Sequence, residues 1–231
     1  MKHHKTTRAD SGFSYSRPFF EELVDSALRH ANKLGATDAA AEASEACGLS
    51  VSVRKGDLEN VERNRDKSLS VSVYVGLRRG NANTSDFSDA AIAQTVKAAF
   101  DIARFTAEDP MAGLPDATDI APPSSLADEL ELFFPWQVTS EQAAELAKEC
   151  EQAALETDAR ITNSEGAAVS AQQSHFFSAH THGFRGGYSS SRHSISVSPI
   201  ASIGEDMQRD AWYSSMRDSK ELASAQRVGR Y

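Results

Sequence analysis

The chain has 231 residues, with 24 basic and 33 acidic side chains and a formal net charge of −9. That length holds one large domain or two small ones with a buried core, and the charge is too small to keep the chain expanded. No apolar run of about 18 residues occurs, which excludes a membrane-spanning helix. Residues 1–17 have no apolar stretch and do not read as a secretory signal.

Large aliphatic and aromatic residues are scarce: 14 Leu, 12 Val, 7 Ile and 11 Phe stand against 35 Ala and 30 Ser. The composition predicts a thin core packed with small residues. Cys47 and Cys150 are the two cysteines and form no CxxC or zinc spacing. They read as packing residues in a reducing, cytoplasmic setting. Charge is uneven. Residues 107–158 carry 13 acidic side chains and one lysine, whereas the flanking regions are near neutral. No basic stripe exists to follow a phosphate backbone, so neither nucleic acid nor a membrane is an expected partner. The acidic stretch reads as a solvated face, with docking of a basic partner as the sharper alternative.

Residues 1–17 are polar and aperiodic and predict a disordered tail. From Pro18, the residues Phe20, Leu23, Val24, Ala27, Leu28, Ala31 and Leu34 follow helical spacing, and Gly35 supplies the stop. Ala39 to Cys47 reads as a strand, although its alanines also permit helix. Leu49, Val51 and Val53 then alternate with Ser50, Ser52 and Arg54. Gly56-Asp57 marks a turn, Leu58 to Arg63 returns, and Asn64 to Lys67 predicts a second turn. Leu69 to Leu77 alternates again, with Ser70 and Ser72 on the polar side, and Arg79 to Ser85 reads as an edge. Ser88 caps a helix running to about Thr106. Residues 18–106 thus form an expected N-terminal α+β domain.

Residues 107–138 hold Pro110, Pro115, Pro122, Pro123 and Pro135 and predict a Pro-rich acidic connector. Leu130, Leu132, Phe133, Phe134 and Trp136 would strap it to a surface. Thr139 then caps a helix with Ala143, Leu146, Ala147, Cys150 and Ala154 on its apolar stripe. Asn163 to Gly166 predicts a turn, strands are expected at 167–173, 175–182, 187–198 and 206–214, and a helix starts near Ser219. Residues 139–231 therefore read as a second α+β unit, truncated at its final helix. Helix, antiparallel meander and helix occur twice in tandem.

No residue pattern announces catalysis. His175, His180 and His182 fall near one strand and His193 on the next. His180 and His182 share a face and His175 takes the other. A two-histidine metal site completed by His193 is geometrically conceivable, but no carboxylate or thiol sits at ligand spacing. A polar sheet face is the favoured reading. No HExxH, no GxSxG and no glycine loop leading into a helix occurs. Asn83-Thr84-Ser85 matches a glycosylation sequon by chance, and Asp128/Glu129 read as solvated carboxylates. The residues themselves assign no catalytic, cofactor-binding or metal position.

Several stretches together are similar to a known family. They are 56–62 (GDLENVE), 82–86 (ANTSD), 98–106 (AAFDIARFT), 109–114 (DPMAGL), 161–166 (ITNSEG) and 187–194 (GYSSSRHS). In this order they resemble the TldD/PmbA family of cytoplasmic metallopeptidase-related proteins, on its PmbA-like (TldE) side. The resemblance implies pairing with a TldD-like protein subunit in a hollow heterodimer that degrades unfolded or extended peptides. It places zinc in that TldD-like partner, held by an HExxxH helix and a later cysteine, and no cofactor in this chain. It also implies a chain of twice this length with a third, C-terminal domain, so the sequence reads as an N-terminal portion. Three readings follow: a non-catalytic subunit of the peptidase, a self-sufficient hydrolase using the histidines, and a regulatory protein-binding module of the DNA gyrase modulator kind.

Overall fold

The computed structural model describes residues 12–120 and 130–231. The His3-His4 pair, Pro122, Pro123 and Asp128/Glu129 lie outside them. The architecture is α+β. In chain order it contains α1 (Arg17–Lys33), β1 (Asp38–Arg54), β2 (Asp57–Val75), β3 (Arg78–Thr84), α2 (Asp89–Phe105), α3 (Ser140–Leu155), β4 (Ile161–His180), β5 (Arg185–Gly186), β6 (Ser189–Ile203), β7 (Asp206–Arg209), β8 (Trp212–Met216) and α4 (Ala225–Arg230). The strands follow the order β3-β2-β1-β4-β6-β7, with β5 beside β4 and β8 beside β6. Helix, strands and helix occur twice, as the periodicity predicts.

Local chemistry explains the element ends. Ser16 caps α1 by accepting from the Phe19 amide, and Pro18 stands in the first turn, where its missing N–H costs nothing. Ser88 caps α2. At α3, Thr139 and Gln142 exchange both bonds of a capping box. The β1–β2 hairpin turns on Lys55 (φ 54°) and Gly56 (φ 79°), the mirror-image two-residue turn that matches strand twist.

Two compact units emerge. The first holds the described residues up to Ala46, those of 66–131, and 174–189; the second holds 47–65, 132–173 and 190–231. Each unit thus draws on three separate stretches of chain. The cause is strand length: β1, β2 and β4 run for 17, 19 and 20 residues, and each serves both units. Neither predicted break interrupts them. Asn64 to Lys67 stays extended because tertiary contacts outweigh turn preference: Lys67 Nζ donates to Tyr15 Oη at 2.9 Å and lies over the Phe87 ring. Asn163 to Gly166 lies within β4, where Ser164 Oγ accepts from the Gly166 amide. At Gly166 (φ 116°) an added Cβ would stand 2.5 Å from the Val53 carbonyl oxygen, so only glycine lets β1 approach. The expected tail also contracts: Phe13 is buried, and Ser14 and Tyr15 amides are bound.

In the first unit Phe20, Val24, Ala27 and Ala31 of α1 meet Ala39, Ala41 and Ala43 of β1, Leu69 and Val71 of β2, and Ile92 and Val96 of α2. In the second, Ala143, Ala147 and Ala154 of α3 meet Val51 and Val53 of β1, Val169 of β4 and Ile195 of β6, with Val228 of α4 closing the group. Nearly half of the buried apolar side chains are alanine. Helices and strands thus approach closely, and each added methylene would be felt.

Each unit also buries a carboxylate. Glu151 of α3 is 1% exposed and accepts from the amides of Lys55 (2.9 Å) and Gly56 (2.8 Å), which fastens the β1–β2 turn. Glu45 of β1 is likewise 1% exposed and accepts from Ser14 and Tyr15. Replacing Glu151 by alanine is expected to cost about 2 kcal/mol, because two turn amides lose a charged acceptor. The loss would appear as a lower urea midpoint at unchanged slope. Glu151→Gln keeps one acceptor and is expected to cost less; an alanine variant as stable as the parent would refute this role.

Candidate functional site

The period-two alternation that builds the cores also builds their opposite. In the second unit Ser50 and Ser52 of β1, Ser170 and Gln172 of β4, and Ser194 and Ser196 of β6 are all half-buried, on the parity opposite to Val51, Val53, Val169, Ile195 and Val197. Gln172 lies directly over Gly48 and donates to Ser170 Oγ. Ser52 Oγ donates to Glu59. In the first unit Ser72 Oγ donates to Asn81 Oδ1, on the β2–β3 pair, with Ser70 exposed beside it in sequence phase. Short hydroxyls both donate and accept, and they lose little rotamer freedom when covered. Such a face can engage polar backbone groups of an extended chain without deep side-chain pockets.

The connector is strapped down where the sequence predicts. The Ser191 amide donates to the Leu132 carbonyl, the Phe134 amide donates to Ser191 Oγ, and Trp136 packs edge-on against His193 at 5.5 Å between ring centroids. Leu130 remains exposed.

The four histidines do different work and do not converge. His175 is buried in the first unit, 4.1 Å from the Phe13 ring and 4.6 Å from Phe20, with Nε2 3.4 Å from Glu45 Oε2. Burial holds its pKa below the ordinary value, although the Glu45 hydrogen bond opposes this. His193 belongs to the second unit, with Nε2 2.8 Å from the Phe134 carbonyl oxygen. His180 stacks on Phe184 and stands 6.0 Å from the His182 ring. Burial lowers its pKa, and His182 adds to the effect. His182 contacts Asp38 and the Pro115 carbonyl. Among the described residues, no group of three His, Cys, Asp or Glu side chains is arranged to hold a metal ion. Among them also, no helix is long and apolar enough to cross a membrane.

Sequence reasoning missed Glu45 and Glu151. The signal was present: Glu45 falls in phase with Ala39, Ala41 and Ala43, and Glu151 stands four residues after Ala147 on the buried stripe of α3.

With this geometry in hand, comparison with known proteins identifies the class. The model of the PmbA/TldA metallopeptidase domain 1 matches residues 39–103, and that of the PmbA/TldA metallopeptidase central domain matches 134–231. The chain belongs to the PmbA/TldD family. It is 43% identical over 214 residues to the metalloprotease PmbA of Escherichia coli O157:H7, covering 92% of this chain and 46% of that one. It is 38% identical over 208 residues to a PmbA homologue of Haemophilus influenzae, covering 90% and 45%. The chain thus spans about half the length of the curated relatives it matches. Among solved structures, a Bacteroides thetaiotaomicron protein described as a candidate modulator of DNA gyrase shares the fold with a TM-score of 0.78 at 22% identity, over 90% of this chain and 48% of that one. TldE from Thermococcus kodakarensis superposes with a TM-score of 0.71 at 12% identity, over 90% and 46%.

Both cysteines are buried and neither is in a disulfide, and burial together with Glu151 pushes the Cys150 thiol up to about 12. At pH 8 almost no thiolate exists there. Native protein is expected to show no fast reaction with Ellman's reagent, whereas urea-unfolded protein should release two equivalents per chain. Rapid native labelling of Cys150 would contradict the buried, protonated thiol.

Proposed function

We propose that this chain is the N-terminal portion of a PmbA-like (TldE) subunit in a TldD/TldE-type metalloprotease complex. In this reading it does not cut peptides itself. It helps wall the chamber, meets unfolded or extended peptides on its hydroxyl-lined sheet faces, and leaves hydrolysis to a zinc-bearing TldD-like subunit in the cytoplasm. The observation that carries the reading is the ordered match of the family's first and central domain models to residues 39–103 and 134–231. The serine-lined faces support contact with extended backbone, since short hydroxyls suit strand-like ligands. No nucleic acid or membrane is required, in keeping with the net charge of −9.

A regulatory role without proteolysis is the second reading. It draws support from the solved neighbours described as candidate modulators of DNA gyrase. That role predicts that the purified chain changes the rate of gyrase supercoiling in the absence of any peptidase.

The test mixes this chain with the TldD-like protein of the same organism. Co-elution on size exclusion is expected, with hydrolysis of a fluorescein-labelled unfolded peptide in the mixture and none by this chain alone. The double variant Ser50→Trp, Ser194→Trp is expected to weaken labelled-peptide binding by roughly tenfold, as bulky rings displace backbone contacts on the sheet face. Separate elution, or unchanged peptide affinity in the variant, would remove the proposed assembly or the proposed face respectively.

A further inference from the structure

His182 stands two residues beyond the end of β4, in the turn leading to β5. Its Nε2 lies 2.8 Å from Asp38 Oδ1, at the first residue of β1. Its Nδ1 lies 2.9 Å from the carbonyl oxygen of Pro115. Both partners are acceptors: a carboxylate and a carbonyl have no proton to give. A neutral imidazole has one N–H and can satisfy one of them, whereas the imidazolium has two and satisfies both.

We infer that His182 is a proton-operated latch, which in its charged form fastens the 107–120 segment to the ends of β1 and β4 and releases that segment when the proton leaves. The placement of Asp38 is itself fixed. Thr181 Oγ1 donates to Asp38 Oδ1 at 3.2 Å, while the Thr181 and Ala39 backbones are joined by a 2.9 Å bond. The carboxylate therefore stays in position whatever the state of the imidazole. Loss of the proton leaves a ring lone pair facing one oxygen lone pair, and the weaker acceptor, the Pro115 carbonyl, is the bond that opens.

The other end of the segment is held separately. The Asp109 amide donates to the Leu77 carbonyl, and Arg78 pairs with Glu108 at 3.2 Å. Among the described residues of 110–120, the Pro115 carbonyl provides the hydrogen bond to another element. Opening the latch would thus free a local stretch and leave the core of the first unit intact.

The charges around the ring agree with the geometry. The Pro115 carbonyl, Asp38 on β1 and Asp116 on the segment itself favour the cation and hold the His182 pKa above its ordinary value. His180 on β4 is the opposing neighbour, and its own pKa is lowered, first by burial and then by the His182 charge. Because the folded value is raised, the latch is fully closed below the unfolded histidine value of about 6.5 and is lost as pH rises through the folded value.

Two measurements test this. In nitrogen-resolved NMR of the imidazoles from pH 5 to 9, His182 is expected to carry protons on both nitrogens at pH 6 and to titrate above the ordinary range, and Asp38→Asn is expected to lower that titration. Hydrogen exchange of 107–120 is then compared with His182→Ala at matched pH, so that intrinsic exchange cancels. The variant is expected to exchange several-fold faster at pH 6 and to converge with the parent by pH 9. A His182 that titrates at or below the ordinary value, or a parent–variant ratio that is unity or independent of pH, would overturn the latch. The His182 titration of the unmodified protein stands even if either variant is poorly folded.

Discussion

The structure depends on one constraint: the two-residue alternation of β1 must not slip. From Ala39 to Val53 every odd-numbered position faces inward and every even-numbered position faces outward, with Glu45 and Cys47 inside the series. A shift of one residue would turn alanines and valines to solvent and bring Ser50 and Ser52 into a core. The same strand supplies alanines to the first unit and valines to the second. The two buried carboxylates are consistent with that constraint. Glu45 and Glu151 accept backbone amides at the N-terminal segment and at the hairpin turn, so both positions that locate β1 along its length are held by charge-assisted bonds.

Small side chains have a further result. Alanine-on-alanine contact gives little apolar area per residue, so aromatic rings carry much of the remaining burial. Phe20 and Phe177 are fully buried, each worth roughly 2–3 kcal/mol. Around them Tyr15, Phe19 and Phe87 stack or meet edge to face, and Lys67 lies across the group. Segment 13–16 is thereby part of the first unit rather than a tail.

Much of this was legible in the residues because it depends on neighbours in sequence. Ser88 and Thr139 cap helices within three residues, and the turn expected at Gly56-Asp57 falls one residue earlier, at Lys55-Gly56; such signals need no tertiary knowledge. Long-range competition was not legible. Asn64 to Lys67 has good turn chemistry, yet Tyr15 and Phe87, distant in sequence, hold it extended. The same reason hid the unit boundaries, since a strand of 20 residues shows no mark where one unit yields to the other. At the site, the polar faces followed directly from parity. The histidines did not, because parity cannot say that Glu45 takes His175, that Phe134 takes His193, and that Asp38 and Pro115 take His182. The family was readable only from ordered stretches, never from one motif.

Both tryptophans stand in the second unit: Trp136 against His193, and Trp212 stacked on Tyr231 at 3.9 Å. The first unit, with its tyrosine and phenylalanine cluster, has none. Intrinsic tryptophan emission therefore reports on one unit and is blind to the other. Emission and backbone dichroism would coincide during unfolding only if the shared strands make the two units melt as one, and any gap between the two curves would measure how much cooperativity those strands transmit.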